Sequence, residues 1–168
     1  MLPKKAISTL ISELNGRIPP PVHTAGIEEE RPVPAVLVEN VDIDNHNHHN
    51  SNYAGSEYDS AGNEISEIHR YYYGMRIQLV VKDDDEIGAY DILGQLQQAL
   101  GELSQRPHKT FHSDVNELRI LGSGPISYQF HEPTETEISQ AIRLETFYET
   151  SQSDGDVIET LQKNISNS

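Results

Sequence analysis

Three histidines, His46, His48 and His49, stand among asparagines in the stretch DIDNHNHHNSNY, residues 42 to 53. Imidazole is the commonest metal ligand. Residues i and i+2 of an extended chain point the same way, so His46 and His48 are candidates to share an ion. His49 and His69 would complete the set, and the protein would then be a metal-dependent enzyme. A catalytic zinc site, however, takes three ligands held by outer hydrogen-bond partners. Here the neighbours are asparagine and serine, with nothing apolar to anchor them. The stretch reads as the tip of a long polar loop, with no resident metal or cofactor.

The remaining motifs read in the same direction. His108 and His112 have i, i+4 spacing, but no glutamate follows the first, and Pro107 and Ser113 suggest a loop. Asp83 to Glu86 lacks the glycine and spaced ligands of a calcium loop and reads as a helix start. GSGP, residues 122 to 125, is far from any phosphate-binding glycine pattern. No nucleophile–base constellation and no paired carboxylates stand in recognisable context, so no catalytic residue is expected. The absence of cysteine excludes disulfides, thiolate zinc sites and cysteine nucleophiles together.

Charge is the strongest global feature. Twenty-seven acidic residues against 12 basic ones leave a net charge of -15. Duplex binding depends on Lys and Arg neutralising phosphates, so this balance argues against a DNA-binding module. The seven arginines are scattered along the sequence without a cluster. An acidic surface also favours solubility, suits a salt-loving source and lets DNA slide past without sticking. No stretch reaches the roughly 18 to 20 apolar residues of a membrane span, and the N-terminal segment lacks the unbroken apolar core of an export signal.

The elements that would carry any site follow from periodicity. Residues 3 to 15 form a predicted helix with Ile7, Leu10, Ile11 and Leu14 on one stripe, Pro3 in its first turn and Gly16 at its end. Three prolines, Pro19 to Pro21, make the next segment a loop. Residues 33 to 43 and 69 to 83 are predicted strands, the second with Tyr71, Tyr73, Met75, Ile77, Leu79 and Val81 on one face and Tyr72 on the other. The long polar loop, 44 to 68, lies between them. A helix over 83 to 107 buries Ala89, Leu93, Leu96, Leu100 and Leu103. Two strands, 115 to 124 and 125 to 132, are joined by a turn at Gly122 and Gly124, and a last strand covers 138 to 150, where Gln140 interrupts an apolar parity. Residues 151 to 168 form a polar tail, either disordered or a weak helix through Val157, Ile158, Leu161 and Ile165. The expectation is one α+β domain over residues 1 to 150, with an antiparallel or mixed sheet of about four to five strands and both helices on one face.

This layout resembles the tail-terminator (tail-completion) proteins of long-tailed bacterial and archaeal viruses. The resemblance spans residues 3 to 150: the amphipathic first helix, PAVLVENV, the polar loop, YYYGMRIQLVV, the helix YDILGQLQQALGEL and the closing strand ISQAIRLETFYET. The His/Asn-rich loop and the 18-residue tail depart from the family pattern. The resemblance implies a hexameric ring that caps the tail tube, faces the head connector and leaves a channel through which DNA passes without specific binding. Its partners would be further copies of the chain, the tail tube protein and the head-completion protein, and its place the virion neck, after assembly in the host cytoplasm. Ring contacts need strand edges and aromatic surface, and the candidates are Tyr53, Tyr72, Arg143, Phe147 and Tyr148. The acidic, lysine-poor composition would go with a salt-loving host. The alternatives are another head–tail connector component, such as a head-closure or tail-adaptor protein, and the metal-dependent enzyme on the loop histidines.

Overall fold

The longest alternating run of the sequence becomes the spine of the molecule. The computed structural model describes residues 1–24, 32–46, 52–105, 115–124, 127–129 and 135–153. In chain order the elements are α1 (Pro3–Asn15), β1 (Val22–Thr24), β2 (Ala35–His46), β3 (Tyr53–Tyr58), β4 (Glu64–Asp83), α2 (Glu86–Gln105), β5 (Val115–Ser123), β6 (Ser127–Gln129) and β7 (Glu135–Ser153). The fold is α+β, with one mixed sheet in the order β1-β2-β4-β7-β5. β3 also pairs with β4 and β6 with β7, which gives seven strands among the described residues against the expected four to five.

Strands β4 and β7 run antiparallel in unbroken register from Ser66↔Ser153 to Asp83↔Thr136. Alternation assigns Tyr73, Met75, Ile77, Leu79 and Val81 to one face of β4, and all five are buried there. On β7 the same face carries Ile138, Ile142, Leu144 and the buried polar Gln140 and Thr146. Both helices lie on this face. α1 contributes Ala6, Leu10 and Leu14, with Ile7 and Ile11 at the margin; α2 contributes Ala89, Ile92, Leu93, Leu96, Ala99, Leu100 and Leu103. Burying each of the larger aliphatic side chains is worth about 1.5 to 3 kcal/mol, which is what holds the two layers together.

Three segments differ from the sequence-based expectation. The region 44 to 68 is mostly strand: β2 continues to His46, β3 occupies Tyr53–Tyr58, and β4 begins at Glu64. Its polar, glycine-containing composition hides this, because the pairing rests on main-chain hydrogen bonds and on a turn built by Asp59. The Asp59 carboxylate accepts the N–H groups of Ala61 at 2.9 Å and Asn63 at 2.8 Å, and Gly62 takes φ +83°. Such a φ suits glycine, which has no Cβ to clash. β1, in the proline-rich segment read as loop, runs parallel to β2. It is pinned by Asn15, whose side chain accepts from the Val22 N–H at 2.8 Å and donates to the Val22 carbonyl at 3.1 Å.

The third correction concerns Gly122 and Gly124. They do not reverse the chain. β5 and β6 both lie antiparallel on β7, at 140–146 and 135–137, so the chain bulges between Ile120 and Ser123 and continues in one direction. The Gly124 N–H donates to the Ser139 carbonyl at 2.8 Å, keeping the broken edge strand attached. α2 starts at Glu86, with Asp85 as its cap: Asp85 accepts from the Gly88 N–H at 3.0 Å. Asp83 is instead the buried end of β4. β7 extends to Ser153, and the rest of the expected tail lies outside the described residues, as do His108 and His112.

Candidate interaction surface

The sheet outgrows its helices at one end. β2 follows β4 as far as His46↔Tyr72, and β5 follows β7 as far as Val115↔Thr146. The start of α1 closes the core at this level: the Met1 amine donates to the Phe147 carbonyl, and the Tyr73 hydroxyl donates to the Met1 carbonyl. Beyond lie β3, residues 64 to 71 of β4 and residues 147 to 153 of β7, a three-stranded ribbon. At about 3.3 Å per residue it extends roughly 20 Å past the core. Among its described side chains only Ser66 is buried. Tyr53, Tyr58 and Ile65 are 52, 60 and 46% exposed, a dense set of large side chains for so polar a segment.

The face of the sheet away from the helices is charged around Arg76, Arg119 and Arg143, although Ala35, Val80 and Ala141 on the same face are buried. Residues that pair directly across an antiparallel ladder point to the same side. Register therefore sets Arg76 of β4 beside Arg143 of β7, and Arg143 beside Arg119 of β5. The next row holds Glu145 and Glu117. Arg143 reaches Asp44 and Glu145, each at 3.3 Å, and Arg119 reaches Glu117 at 2.7 Å. The guanidinium of Arg119 is held above its ordinary range by the Glu117 carboxylate, which is itself held low by Arg119. Asp42 stands across from Arg76 in register, yet Arg76 makes no ion pair among the described residues. Like charges directly opposite destabilise a sheet, each pair by a few tenths of a kcal/mol or more.

Further along the same face, at the root of the ribbon, Tyr72 packs on Phe147 with ring centres 5.9 Å apart. Arg70 lies over the Phe147 ring at 4.3 Å and binds Glu149 at 2.8 and 2.5 Å. Hydrogen bonding to Tyr72, and then to Glu149, raises the Arg70 guanidinium above its ordinary range. On the opposite face Tyr148 stacks on Tyr71 at 5.2 Å and leans on Tyr73 at 6.2 Å. Tyr53 meets His69 edge-on at 6.4 Å, and His69 contacts Glu67 at 3.2 Å.

The five candidate contact residues thus divide. Tyr72, Phe147 and Arg143 share the face away from the helices, Tyr148 belongs to the helix side, and Tyr53 stands on the ribbon. Of the candidate metal ligands, His46 closes β2 rather than sitting at a loop tip; His48 and His49 lie outside the described residues. Among the described residues no three histidine or carboxylate side chains converge on a common point. Sequence reasoning missed Arg70, Arg76 and Arg119. Alternation assigns them to faces, but only the register of three strands brings 76, 119 and 143 into a row. No known family model matches the sequence, and no curated protein does either.

Proposed function

We propose that this protein is a structural component of a tailed virion, assembling into a ring at the neck. The ring would be a hexamer that caps the tail tube, meets the head connector and leaves a passage for DNA. One observation carries most of this reading. Among the described residues the sheet carries both helices on one face, while Arg76 and Arg119 on the other face and Tyr53, Tyr58 and Ile65 on the projecting ribbon are exposed, so a single chain offers different surfaces at different ends. Unlike surfaces on one chain are what a head-to-tail ring requires, since each contact joins two different patches. Exposed Tyr53, Tyr58 and Tyr72 supply the aromatic anchors that enrich such contacts. The net charge of -15 suits a passage that must not bind DNA.

The test is direct. Native mass spectrometry and light scattering on the purified chain are expected to give a ring-sized species that grows with concentration. Electron microscopy of intact particles, with the chain tagged, is expected to find it between capsid and tail tube. Monomer at all concentrations, in both low and molar salt, would remove this function. A ring located beneath the capsid but away from the tube end would make the protein a head-closure or adaptor component instead.

A further inference from the structure

We infer that the outer edge of β7 beyond Thr146 is a pairing edge, taken in solution by the same edge of a second copy across a twofold axis. β5 leaves β7 at Val115↔Thr146, and among the described residues no strand replaces it on the side away from β4. An unpaired edge is a template for another chain, and natural sheets blunt theirs with prolines, lysines, bulges or short strands. Among the described residues each other edge of this sheet is blunted. β1 and β6 have three residues each, β2 bulges between Glu39 and Asp42 with Asn40 at φ 48°, and β3 and β5 each shift register twice. β7 differs. It stays in register with β4 to Ser153, and Phe147 to Ser153 contains no proline, lysine or arginine.

In an antiparallel ladder a residue turns its N–H and C=O to the same side. The carbonyls of Ser139 and Phe147 accept from the Gly124 N–H and the Met1 amine, neither of them on β4. Alternation therefore turns the main-chain groups of Glu149 and Ser151 outward as well, unpartnered among the described residues. A second copy running antiparallel matches them when the twofold passes through Thr150, which sets each Glu149 against the other copy's Ser151. Setting Glu149 against Glu149 instead would oppose like charges. Glu149 is the only charge on the edge, and Arg70 binds it at 2.8 and 2.5 Å, so two acidic chains meet here where the charge is already matched. The same register sets Ser153 of the second copy against Phe147, where α1 starts. There Lys4 and Lys5 are exposed without an ion pair among the described residues, and Leu2 is 63% exposed. Two strand spacings away, about 10 Å, the helix side of the second ribbon brings Glu67 and the exposed Ile65 as charged and apolar complements. Joining like edges, the contact closes at two copies and does not depend on the ring.

Sedimentation velocity and hydrogen exchange on the full-length chain test this contact. Wild type is expected to dimerise with a Kd on the order of 1 to 100 μM, as a small interface allows. Protection of the Glu149 and Ser151 amides should rise with concentration in step. Ser151→Pro removes an outward N–H where an edge strand tolerates proline, and should weaken the dimer about a hundredfold. Ser151→Glu opposes like charges twice and should weaken it about tenfold, while Ser151→Lys should strengthen it by a similar factor. Wild type that stays monomeric at all concentrations would overturn the contact. So would amide protection that ignores concentration, which would mean the edge is covered within one chain. A dimer that all three variants leave unchanged would overturn it too, since the copies then meet elsewhere. Circular dichroism checks folding; should Ser151→Pro misfold, the opposite signs of the Glu and Lys variants decide. A dimer with no ring-sized species would keep this contact and remove the ring, and the reverse result would keep the ring and remove the contact.

Discussion

The hydroxyl of Tyr73, on the central strand, donates its hydrogen to the main-chain oxygen of Met1, at the start of the first helix. Burial, with the Tyr148 phenol nearby, pushes the Tyr73 phenol up to about 12 from 10.0. The folded state therefore favours the neutral ring. That stability is fully present below pH 10 and drains as pH rises from 10 towards 12. The expected loss is about 3 kcal/mol at most, read from thermal or urea unfolding. Tyr73→Phe should flatten this alkaline limb and cost about 1 to 2 kcal/mol at neutral pH, because the Met1 carbonyl loses its donor. An unchanged alkaline limb in the variant would count against the assignment.

Gln140 is fully buried in a sheet face that is otherwise largely apolar. Its amide nitrogen donates to the carbonyls of Leu121 at 2.7 Å and Ala141 at 2.9 Å, while its oxygen accepts from Gln97 at 2.9 Å and Ser123 at 3.0 Å. These bonds tie α2 to the bulged edge strand β5. Gln140→Ala is expected to cost about 2 to 4 kcal/mol, since it opens a cavity and strands buried donors and acceptors together. Ser123→Ala, which removes one donor near the surface, should cost under about 1.5 kcal/mol. Equal effects of the two changes would contradict this ordering.

A methyl group added at Gly88 would lie 2.4 Å from Oδ2 of Asp83. Glycine to alanine in a helix ordinarily stabilises by about 0.5 to 1 kcal/mol. Here the sign should reverse, with Gly88→Ala destabilising by about 1 to 2 kcal/mol, because a buried carboxyl must be displaced. Gly94→Ala, where nothing lies within 4 Å of the added methyl, is the control and should be neutral or stabilising. Melting curves of the two variants decide it.

The turn at the ribbon tip depends on the ionised Asp59 carboxylate. The Asn63 main-chain N–H, with help from its side chain, holds that carboxyl below its ordinary value of 3.8. Its contribution is present above that value and is lost as pH falls through the lowered one. An NMR titration of the Ala61 and Asn63 amides should therefore give a shared midpoint under 3.8, with the core amides undisturbed. A midpoint at or above that figure would mean the turn is not closed in this way.

The helices and central strands could be read from the sequence because each buries one side, and a period of 3.6 or 2 leaves its mark on residue choice. Leu96, Leu100 and Leu103 on α2, and Met75, Ile77 and Leu79 on β4, all fall where their spacing puts them. The ribbon could not be read this way. β3 is Tyr-Ala-Gly-Ser-Glu-Tyr; with neither of its sides in the core, nothing selects alternation, and its pairing is carried by main-chain atoms. Gln140 interrupts an apolar parity, and the partners that explain it, Gln97, Leu121 and Ser123, are distant in sequence. The arginine row depends on register, which local pattern does not encode. Tyr72 and Phe147, by contrast, stand out individually as large side chains opposite the core parity, and they meet on the face away from the helices.

Strands β4 and β7 cross from packed core into uncovered ribbon without a break, so one ladder of hydrogen bonds carries two very different strengths. Around Ile77↔Ile142 an amide is expected to exchange with deuterium only when the whole domain opens, whereas around Glu67↔Gln152 local fraying should be enough. Because the two strands are far apart in the chain, pairing is slow to nucleate and should zip from Met75 outward. The ribbon is then the last part to close and the first to loosen, so a single β-strand should display a gradient of exchange times from end to end.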